Sequence, residues 1–236
     1  MIWAVVPAAG SGRRFGAELP KQYAAIDAQP LLYWTLMRLA QVPRISGLVV
    51  VLAAGDPFWP GWDTVCGKPL ITAVGGAERA DSVLAGLRAL PSDISPRAFV
   101  LVHDAARPCV RAADIDRLID AVGDGDGGLL AAPVSDTIKR QQPAEPDHSA
   151  ARVAQTVSRA DLWRALTPQM FRRGALSSAL AGASARGARP TDEAQAMEWI
   201  GVAPLLVEGA PDNIKVTTAH DLALAQFLLR AQERAG

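Results

Sequence analysis

The sequence predicts an α/β fold in which a mostly parallel β-sheet is covered by helices. Short apolar runs alternate along the chain with longer stretches of helical periodicity, as in repeated β-α units. The run at 98–103 (AFVLVH) is apolar on both faces, which is typical of a central strand in a parallel sheet. The first apolar run, Ile2 to Val6, opens directly into a glycine-rich loop, as the first strand of many nucleotide-binding α/β proteins does.

The individual elements follow from this alternation. Pro30 suits the first position of a helix, because the N–H that proline lacks would have no hydrogen-bond partner within the helix at that position. Ser158 with Asp161, and Thr218 with Asp221, resemble N-terminal capping signals. The predicted strands are 2–6, 47–53, 70–74, 98–103, 128–133 and 203–207. The predicted helices are 30–42, 79–90, 113–122, 159–165, 173–185, 192–200 and 219–234.

The segment 134–157 departs from the β-α pattern. Two short alternating stretches, DTIKRQ and ARVAQTV, flank a polar middle that contains proline. We expect a long hairpin that leaves the core, and the alternative is an irregular surface loop. A two-stranded ribbon is only marginally stable by itself in water. An ordered ribbon therefore needs a partner, most simply a second copy of the chain.

Length and composition limit the classes of protein. We expect residues 1–236 to form a single domain, and with 50% hydrophobic residues the chain can build a sizeable core. The 24 basic and 24 acidic residues cancel, so no overall positive field favours a nucleic acid. Cys66 and Cys109 have neither metal-ligand nor disulfide spacing, which favours a reducing cytoplasm. No long apolar segment or signal-peptide pattern is present, so we expect neither membrane insertion nor secretion.

The loop after the first predicted strand combines a closely approachable backbone with positive charge. Its glycines and cations are Gly10, Gly12, Gly16, Arg13, Arg14 and Lys21. Glycine lets backbone N–H groups approach phosphate oxygens, and the cations neutralise their charge. The loop therefore predicts a phosphate site, whereas the alternative is a tight surface turn with incidental cations.

Two common phosphate-loop patterns do not fit this loop. The dinucleotide pattern G-x-G-x-x-G fails because Phe15 takes the place of the third glycine and Gly16 comes one residue late. The pattern G-x-x-x-x-G-K-[ST] fails because no Lys-Ser/Thr pair follows. Pro20 also argues against a long helix starting here. A dinucleotide-dependent oxidoreductase is thus a weak alternative, supported only by Asp56, which follows the second strand where a ribose-binding acid would lie.

The stretch LVHDAARP places three polar side chains at the carboxyl end of the predicted central strand. Ligands bind at this end of the strands in open α/β sheets. The carboxylate of Asp104 is suited to Mg²⁺, which is usually shared with substrate phosphates. The alternative is that Asp104 caps an element or pairs internally with Arg107. His103 either orients a neighbour or is a packed polar residue.

The stretch GGAERADSVLAGL at 75–87 is a glycine-rich turn that leads into a helix. Its small residues would let a flat base lie against the backbone, and Ser82 offers a hydroxyl. The alternative is ordinary helix-start chemistry, because Glu78 and Asp81 favour the positive end of a helix dipole.

Two later stretches carry further candidates. DNIKVT at 212–217 places Lys215 on a short extended piece, and its importance depends on whether it faces the same cleft as Lys21. In RPTDEA at 189–194, Thr191 or Asp192 is best interpreted as a helix N-cap.

Seven stretches together resemble one family along most of the chain. They are VVPAAGSGRRFGAELPKQY, GGAERADSV, LVHDAARP, PVSDTIKR, QTVSRADLWRALTPQMF, TDEA and VEGAPDNIKVT. They occur in the order found in the 2-C-methyl-D-erythritol 4-phosphate cytidylyltransferases. Related nucleotidyltransferases share the first loop, whereas HDAARP and DNIKVT narrow the choice. The ribitol-5-phosphate cytidylyltransferases are the nearest alternative in pattern.

The resemblance implies a Rossmann-like nucleotidyltransferase fold and a homodimer joined by a projecting hairpin arm, residues 134–157. It implies that CTP and 2-C-methyl-D-erythritol 4-phosphate react, with Mg²⁺ as cofactor, to give the cytidine diphosphate alcohol and pyrophosphate on the non-mevalonate route to isoprenoid precursors. The implied catalytic residues are Arg14, Lys21 and Lys215. The implied nucleotide-binding residues are Ala8, Ala9, Gly10, Gly12, Gly76, Ser82, Asp104 and Arg107, and Asp104 would also bind the metal. The residues implied to hold the alcohol phosphate are Thr137, Arg159 and Thr167.

The sequence departs from the family pattern at one position. Members often have Asp after the second glycine of GGDERADSV, where this chain has Ala77. Base recognition would therefore depend on backbone groups and Ser82. A nucleotide-binding scaffold without turnover is disfavoured, because the cations and Asp104 are all retained.

Overall fold

The computed structural model describes residues 1–10, 19–143 and 150–235. Within them the strands are β1 (Ile2–Pro7), β2 (Ala25–Ile26), β3 (Gln29–Pro30), β4 (Ile45–Leu52), β5 (Thr64–Val65), β6 (Lys68–Val74), β7 (Phe99–Val102), β8 (Gly127–Pro133), β9 (Ile138–Gln141), β10 (Val153–Val157), β11 (Trp163–Arg172) and β12 (Leu205–Glu208). The helices are α1 (Leu31–Ala40), α2 (Arg79–Arg88), α3 (Ala112–Val122), α4 (Arg173–Ala185), α5 (Glu193–Glu198) and α6 (Ala219–Ala235). None of the described helices is long and apolar enough to span a membrane.

Eight of the described strands form one mixed sheet in the order β12-β8-β11-β7-β1-β4-β6-β5. β1 lies between β7 and β4 and is parallel to both, and β4 is parallel to β6. β11 runs antiparallel between β7 and β8. The predicted α/β class is confirmed, with the qualification that an antiparallel strand occupies the middle of the sheet.

The strands alternate between two apolar layers, as the period of a strand requires. On β1, Ala4 and Val6 face the layer that contains α1 and α3, whereas Trp3 and Val5 face the layer that contains α2, α4 and α5. The helix α2 packs closely on the sheet because Gly86 has no side chain: a Cβ there would lie 2.5 Å from Val5 Cγ1. This close packing sets α2 directly against β1 and β4.

The predicted helix at 159–165 is wrong, and Ser158 with Asp161 is not a helix cap. Residues Trp163–Arg172 form β11, the longest strand described. The local sequence, with its charged residues and Leu, suits a helix, but Gln169 to Phe171 fill the gap between β7 and β8 and pair with both strands. Tertiary pairing here overrides local helix propensity, which is a weak preference.

Four short described strands lie outside the main sheet, as the pairs β2/β3 and β9/β10. β9 and β10 pair antiparallel with each other and with no other described strand, and most of their residues are exposed. They correspond to the two alternating stretches of the segment 134–157. The contribution of this ribbon to dimerisation stays a prediction.

Candidate active site

A cavity of about 750 Å³ opens at the carboxyl ends of β1, β6 and β7. This is the edge of the sheet at which ligands bind in open α/β folds. The described residues that line it are Pro7, Ala8, Ala9, Gly10, Lys21, Gln22, Gly76, Ala77, Glu78, Arg79, Ser82, Asp104, Ala105, Ala106, Lys215 and Thr217. The cavity therefore brings together segments that lie more than two hundred positions apart in the printed sequence, between Ala8 and Thr217.

The backbone that follows β1 is held in place from two sides. Ala8 N–H donates to the carbonyl oxygen of Val51 at 2.8 Å. The buried side-chain amide of Gln22 donates to the carbonyl oxygens of Ala8 at 2.8 Å and Gly10 at 3.2 Å. No pattern in the sequence singled out Gln22, although it follows Lys21 directly. It fixes the predicted nucleotide-binding residues Ala8, Ala9 and Gly10 at the cavity wall.

The turn before α2 forms the opposite wall. Gly76 N–H donates to Ser82 Oγ at 3.2 Å, and the Ser82 hydroxyl donates to the carbonyl oxygen of Glu78 at 3.1 Å. A Cβ on Gly75 would lie 2.6 Å from the Ala9 Cβ and 2.7 Å from Ser82 Oγ, so only glycine fits between the two walls. Glu78 and Asp81 also form the helix-start capping box that was the alternative interpretation of this stretch. The helix-start interpretation is therefore confirmed, and the contact of this turn with a base stays a prediction.

Asp104 is the most highly connected acid of the cavity. Its Oδ1 lies 3.0 Å from Arg79 Nη2, and its Oδ2 lies 2.9 Å from Lys215 Nζ and 3.4 Å from Arg107 Nε. Burial by itself would raise the pKa of this carboxyl, but the charges of Arg79, Lys215 and Arg107 outweigh that effect and hold the pKa far below its usual range. Asp104 is therefore an anion at neutral pH. Asp104 thus forms the predicted ion pair with Arg107 and also lines the cavity.

Two further charged side chains, Arg79 and Glu193, join the ion pairs of Asp104, and neither was predicted as a site residue. Arg79, the first residue of α2, donates to Asp104 and binds the fully buried carboxylate of Glu193 with both terminal nitrogens, at 2.6 and 3.1 Å. Arg79 stands in GGAERADSV and Glu193 in TDEA, so both motifs were visible. Only folding shows that they meet, because 114 positions separate them.

His103 and Thr167 form a buried chain of hydrogen bonds that ends at the N–H of Asp104. His103 Nε2 lies 3.0 Å from the carbonyl oxygen of Arg107, so this nitrogen carries the proton and donates. Nδ1 is then the acceptor for the Thr167 hydroxyl at 2.9 Å, and the same Thr167 oxygen accepts the N–H of Asp104 at 3.1 Å. Burial lowers the pKa of His103 to about 4, so the ring is neutral at physiological pH. His103 is thus a packed residue that orients a neighbour.

The segment at 212–217 reaches the cavity through several tertiary bonds. Val216 N–H donates to the carbonyl oxygen of Ala106 at 2.8 Å. The side-chain amide of Asn213 donates to the carbonyl oxygen of Thr167 at 2.7 Å, and Arg107 Nη1 donates to the carbonyl oxygen of Asn213 at 2.7 Å. These bonds place Lys215 at the cavity wall, where Lys21 also lies. The condition set by the sequence, that both lysines face one cleft, is met.

The remaining predicted site residues lie elsewhere. Gly12 and Arg14 lie outside the described residues. Thr137 and Arg159 are exposed beside the β9/β10 ribbon, where the Arg159 guanidinium donates to the carbonyl oxygen of Ser135. Thr167 is buried, and its hydroxyl already serves His103 and Asp104. These three residues, and the predicted nucleotide-binding residue Arg107, are not among those that line the cavity.

The donor set at the cavity fits a metal ion in one restricted way. Over the described residues, no cluster of three or more Asp, Glu, His or Cys side chains is arranged to bind a metal. Asp104 offers a single carboxylate to the cavity. Mg²⁺ is commonly bound through one or two carboxylates, with substrate phosphates and water as its other ligands. The residues therefore fit Mg²⁺ that arrives with a polyphosphate.

An α/β sheet covered on both faces, with lysines, an ionised carboxylate and close-fitting glycines at its carboxyl edge, is typical of a nucleotide-binding α/β protein. The sequence profile of the 2-C-methyl-D-erythritol 4-phosphate cytidylyltransferases matches residues 2–231, and the chain belongs to this family. Proteins with that name from Xanthomonas campestris pv. campestris and Xanthomonas axonopodis pv. citri are 54% and 55% identical to it, over 100% and 97% of this chain and 87% and 84% of theirs.

Solved structures agree with this assignment. A crystal structure of a 4-diphosphocytidyl-2C-methyl-D-erythritol synthase superimposes with a TM-score of 0.80 at 35% identity, covering 97% of this chain and 98% of that one. The 2-C-methyl-D-erythritol 4-phosphate cytidylyltransferase of Francisella tularensis superimposes with a TM-score of 0.79 at 30% identity, over 96% and 99% of the two chains. The predicted fold family is confirmed.

Proposed function

We propose that this chain condenses CTP with 2-C-methyl-D-erythritol 4-phosphate to give 4-diphosphocytidyl-2-C-methyl-D-erythritol and pyrophosphate. Membership of the family supports the reaction. The observation that carries it is the meeting of Lys21, Lys215 and Asp104 at one cavity wall. Two polyanions must approach each other in this reaction, so a site for it needs cations that converge from separate segments.

The chemistry requires no nucleophile from the protein. A phosphate oxygen of the alcohol phosphate attacks the α-phosphorus of CTP in line; the new P–O bond forms as the bond to the leaving pyrophosphate breaks. Catalysis then consists of positioning and charge stabilisation. In our proposal Arg14 and Lys21 bind the triphosphate, and Lys215 leaves Asp104 to neutralise charge on the reacting phosphates.

The base is proposed to lie between the two backbone walls of the cavity. Ala8, Ala9 and Gly10 would form one side, and Gly76 with Ser82 the other. Because Ala77 offers no side-chain acceptor, the exocyclic amino group of cytosine would donate to backbone carbonyl oxygens or to the remaining lone pair of Ser82 Oγ, and the ring nitrogen would accept from a backbone N–H group. Gly12 and Arg107 retain their implied roles near the nucleotide as part of this proposal.

Asp104 is the residue proposed to hold Mg²⁺. When bound, the ion would neutralise charge on the phosphate oxygens. The protein's part is to keep Asp104 ionised and oriented, which Arg79 and the Asp104 N–H bond to Thr167 support.

The alcohol phosphate is proposed to be held by Thr137 and Arg159 of a neighbouring copy, with Thr167 acting from beneath Asp104. The exposure of Thr137 and Arg159, and their place beside a ribbon that pairs only with itself among the described strands, support a homodimer built through residues 134–157. We propose a cytoplasmic setting for the enzyme, in line with its two unpaired cysteines.

The test is pyrophosphate release from CTP with each candidate alcohol phosphate. We expect turnover with 2-C-methyl-D-erythritol 4-phosphate and much lower kcat/KM with ribitol 5-phosphate. A higher kcat/KM with ribitol 5-phosphate would instead assign ribitol 5-phosphate as the substrate of this chain. Absence of pyrophosphate with either alcohol would remove the proposal altogether. ATP and UTP in place of CTP provide the control for base recognition.

A further inference from the structure

Arg79 lies between two carboxylates that come from different parts of the fold. Its Nη1 and Nη2 bind the two oxygens of Glu193 at 2.6 and 3.1 Å. Its Nε lies 3.1 Å from Asp104 Oδ1. The guanidinium therefore uses one edge for Glu193 and another for Asp104. A lysine cannot reproduce this contact, because it offers one nitrogen and no planar fork.

The two chain neighbours of Glu193 are both held by a single residue of β11. The side-chain amide of Gln169 donates to Asp192 Oδ2 at 2.9 Å, and its oxygen accepts the N–H of Ala194 at 2.8 Å. Gln169 is almost fully buried. The two neighbours of Glu193 are thus fixed to the sheet, and the Glu193 carboxylate has a fixed direction toward Arg79.

The two oxygens of Asp104 have unequal partners. Oδ1 faces Arg79, which is anchored on a carboxylate with no exposed surface. Oδ2 faces Lys215, whose side chain is 39% exposed, and Arg107. Oδ1 of Asp104 therefore faces a cation that is anchored on a buried carboxylate, whereas Oδ2 faces a lysine whose side chain is partly exposed at the cavity.

We propose that Glu193 is a positioning residue that acts through Arg79 on Asp104, a role that rests on the proposed function. Glu193 keeps Arg79 on Oδ1, so that Asp104 retains a counter-ion and its orientation when Lys215 moves to the phosphates. Glu193 also prevents Arg79, which lines the cavity, from binding the triphosphate itself. Arginine binds phosphate strongly in a bidentate manner, so a released Arg79 would hold CTP in a non-productive position.

The proposal predicts a separation of kcat from KM in Glu193→Gln. The amide still donates or accepts one hydrogen bond but loses the charge that retains Arg79. We expect kcat to fall roughly 10- to 100-fold, the usual effect of removing a supporting partner of a functional group. KM for CTP should stay unchanged or fall, because the released Arg79 adds a phosphate contact. An unchanged kcat, or a rise in KM for CTP that accounts for the whole loss of kcat/KM, would overturn the proposal.

A matched control stands at the same helix junction. Arg189 pairs with Glu78 at 2.7 Å and thus also joins the region before α5 to the start of α2, but its side chain is 75% exposed and it does not contact Asp104. Exposed pairs contribute little to stability. Arg189→Gln should keep kcat within about twofold of the wild type, as expected for an exposed pair. A loss of kcat in Arg189→Gln equal to that in Glu193→Gln would assign the effect to the junction and overturn the specific role of Glu193.

A second variant serves if Glu193→Gln does not fold. Arg79→Ala removes the guanidinium between two carboxylates at a site that solvent reaches, since the Arg79 side chain is 29% exposed. We expect added guanidinium ion to restore part of kcat in Arg79→Ala and none in Lys215→Ala. Equal stimulation of both variants, or of neither, would overturn the proposal. Turnover of the wild type with CTP and 2-C-methyl-D-erythritol 4-phosphate is measured first, so that failure of the proposed function is recognised separately.

Discussion

Lys21 Nζ donates a hydrogen bond to the carbonyl oxygen of Val216 at 3.2 Å, across 195 positions of the sequence. Val216 directly follows Lys215, whose ammonium group pairs with Asp104. The bond therefore joins the loop that follows β1 to the segment that precedes α6. It places the two lysines of the proposed mechanism at one cavity.

The lysines should matter more for turnover than for CTP binding. Lys21→Ala and Lys215→Ala each remove a cation that the reacting phosphates would meet, so we expect kcat to fall by roughly 10²–10³, as for loss of an oxyanion-hole donor. Steady-state pyrophosphate release gives kcat, and calorimetric titration gives the affinity for CTP. Lys68→Ala, at the amino end of β6, is the control and should retain kcat. Near-wild-type turnover in either active-site variant would exclude that lysine from the mechanism.

Arg159→Ala should act on the alcohol phosphate. Because Arg159 is proposed to hold the alcohol phosphate, its loss should raise KM for 2-C-methyl-D-erythritol 4-phosphate. Because Arg159 is exposed beside the ribbon and does not line the cavity, the affinity for CTP should stay unchanged. Arg140→Ala on β9 is the control for a general effect of removing charge from the ribbon. If CTP affinity fell while KM for the alcohol phosphate stayed constant, Arg159 would belong to the other half of the site.

Thr167 should respond to the loss of its hydroxyl and tolerate the loss of its methyl group. Thr167→Val leaves the buried His103 Nδ1 and the Asp104 N–H without partners, each at a cost of about 1–3 kcal/mol in the free energy of unfolding. Thr167→Ser keeps the hydroxyl and should retain both stability and kcat. Denaturant unfolding with parallel kinetics measures both. A Thr167→Val protein as stable as the wild type would show that these bonds contribute nothing.

His103 should make stability depend on pH in the mildly acidic range. Its folded pKa is about 4, below the ordinary value near 6.5, because burial disfavours the charged ring. Between pH 6.5 and 4 the unfolded chain therefore binds a proton that the folded chain does not bind. The contribution of His103 to the free energy of unfolding is complete above pH 6.5 and is lost as pH falls toward 4, by roughly 3 kcal/mol.

The measurement is the free energy of unfolding at several pH values for the wild type and His103→Gln, without substrate or metal. The glutamine amide can still donate toward the carbonyl oxygen of Arg107. The difference between the two proteins should grow smaller as pH falls from 6.5 to 4. His220→Gln, at the exposed start of α6, should follow the wild-type curve. If the difference in the free energy of unfolding stayed constant from pH 6.5 to 4, His103 would not be neutral in the folded protein over this range.

Patterns of short range were sufficient for most elements. The apolar run of β1, the continuous run of β7 and the helix α4 (predicted at 173–185) all follow from periodicity, because each buries its apolar residues against the sheet or its covering helices. β11 was the exception. Its place is set by edges of β7 and β8 that are formed by other segments, and no window of eleven residues contains that information.

The sequence by itself determined the family, the glycine turns and the chemical type of the residues at the cavity. The glycine-rich turn that begins at Gly75, for example, was predicted from its composition, and the structure then showed that a Cβ there would lie 2.6 Å from the Ala9 Cβ. Tertiary structure alone decided which charges are partners. Asp104 meets Arg79 and Lys215, and Arg79 meets Glu193, only after β7, α2, α5 and the segment that precedes α6 are packed. Charge pairing acts over a few ångströms of space, whereas sequence patterns record only neighbours along the chain.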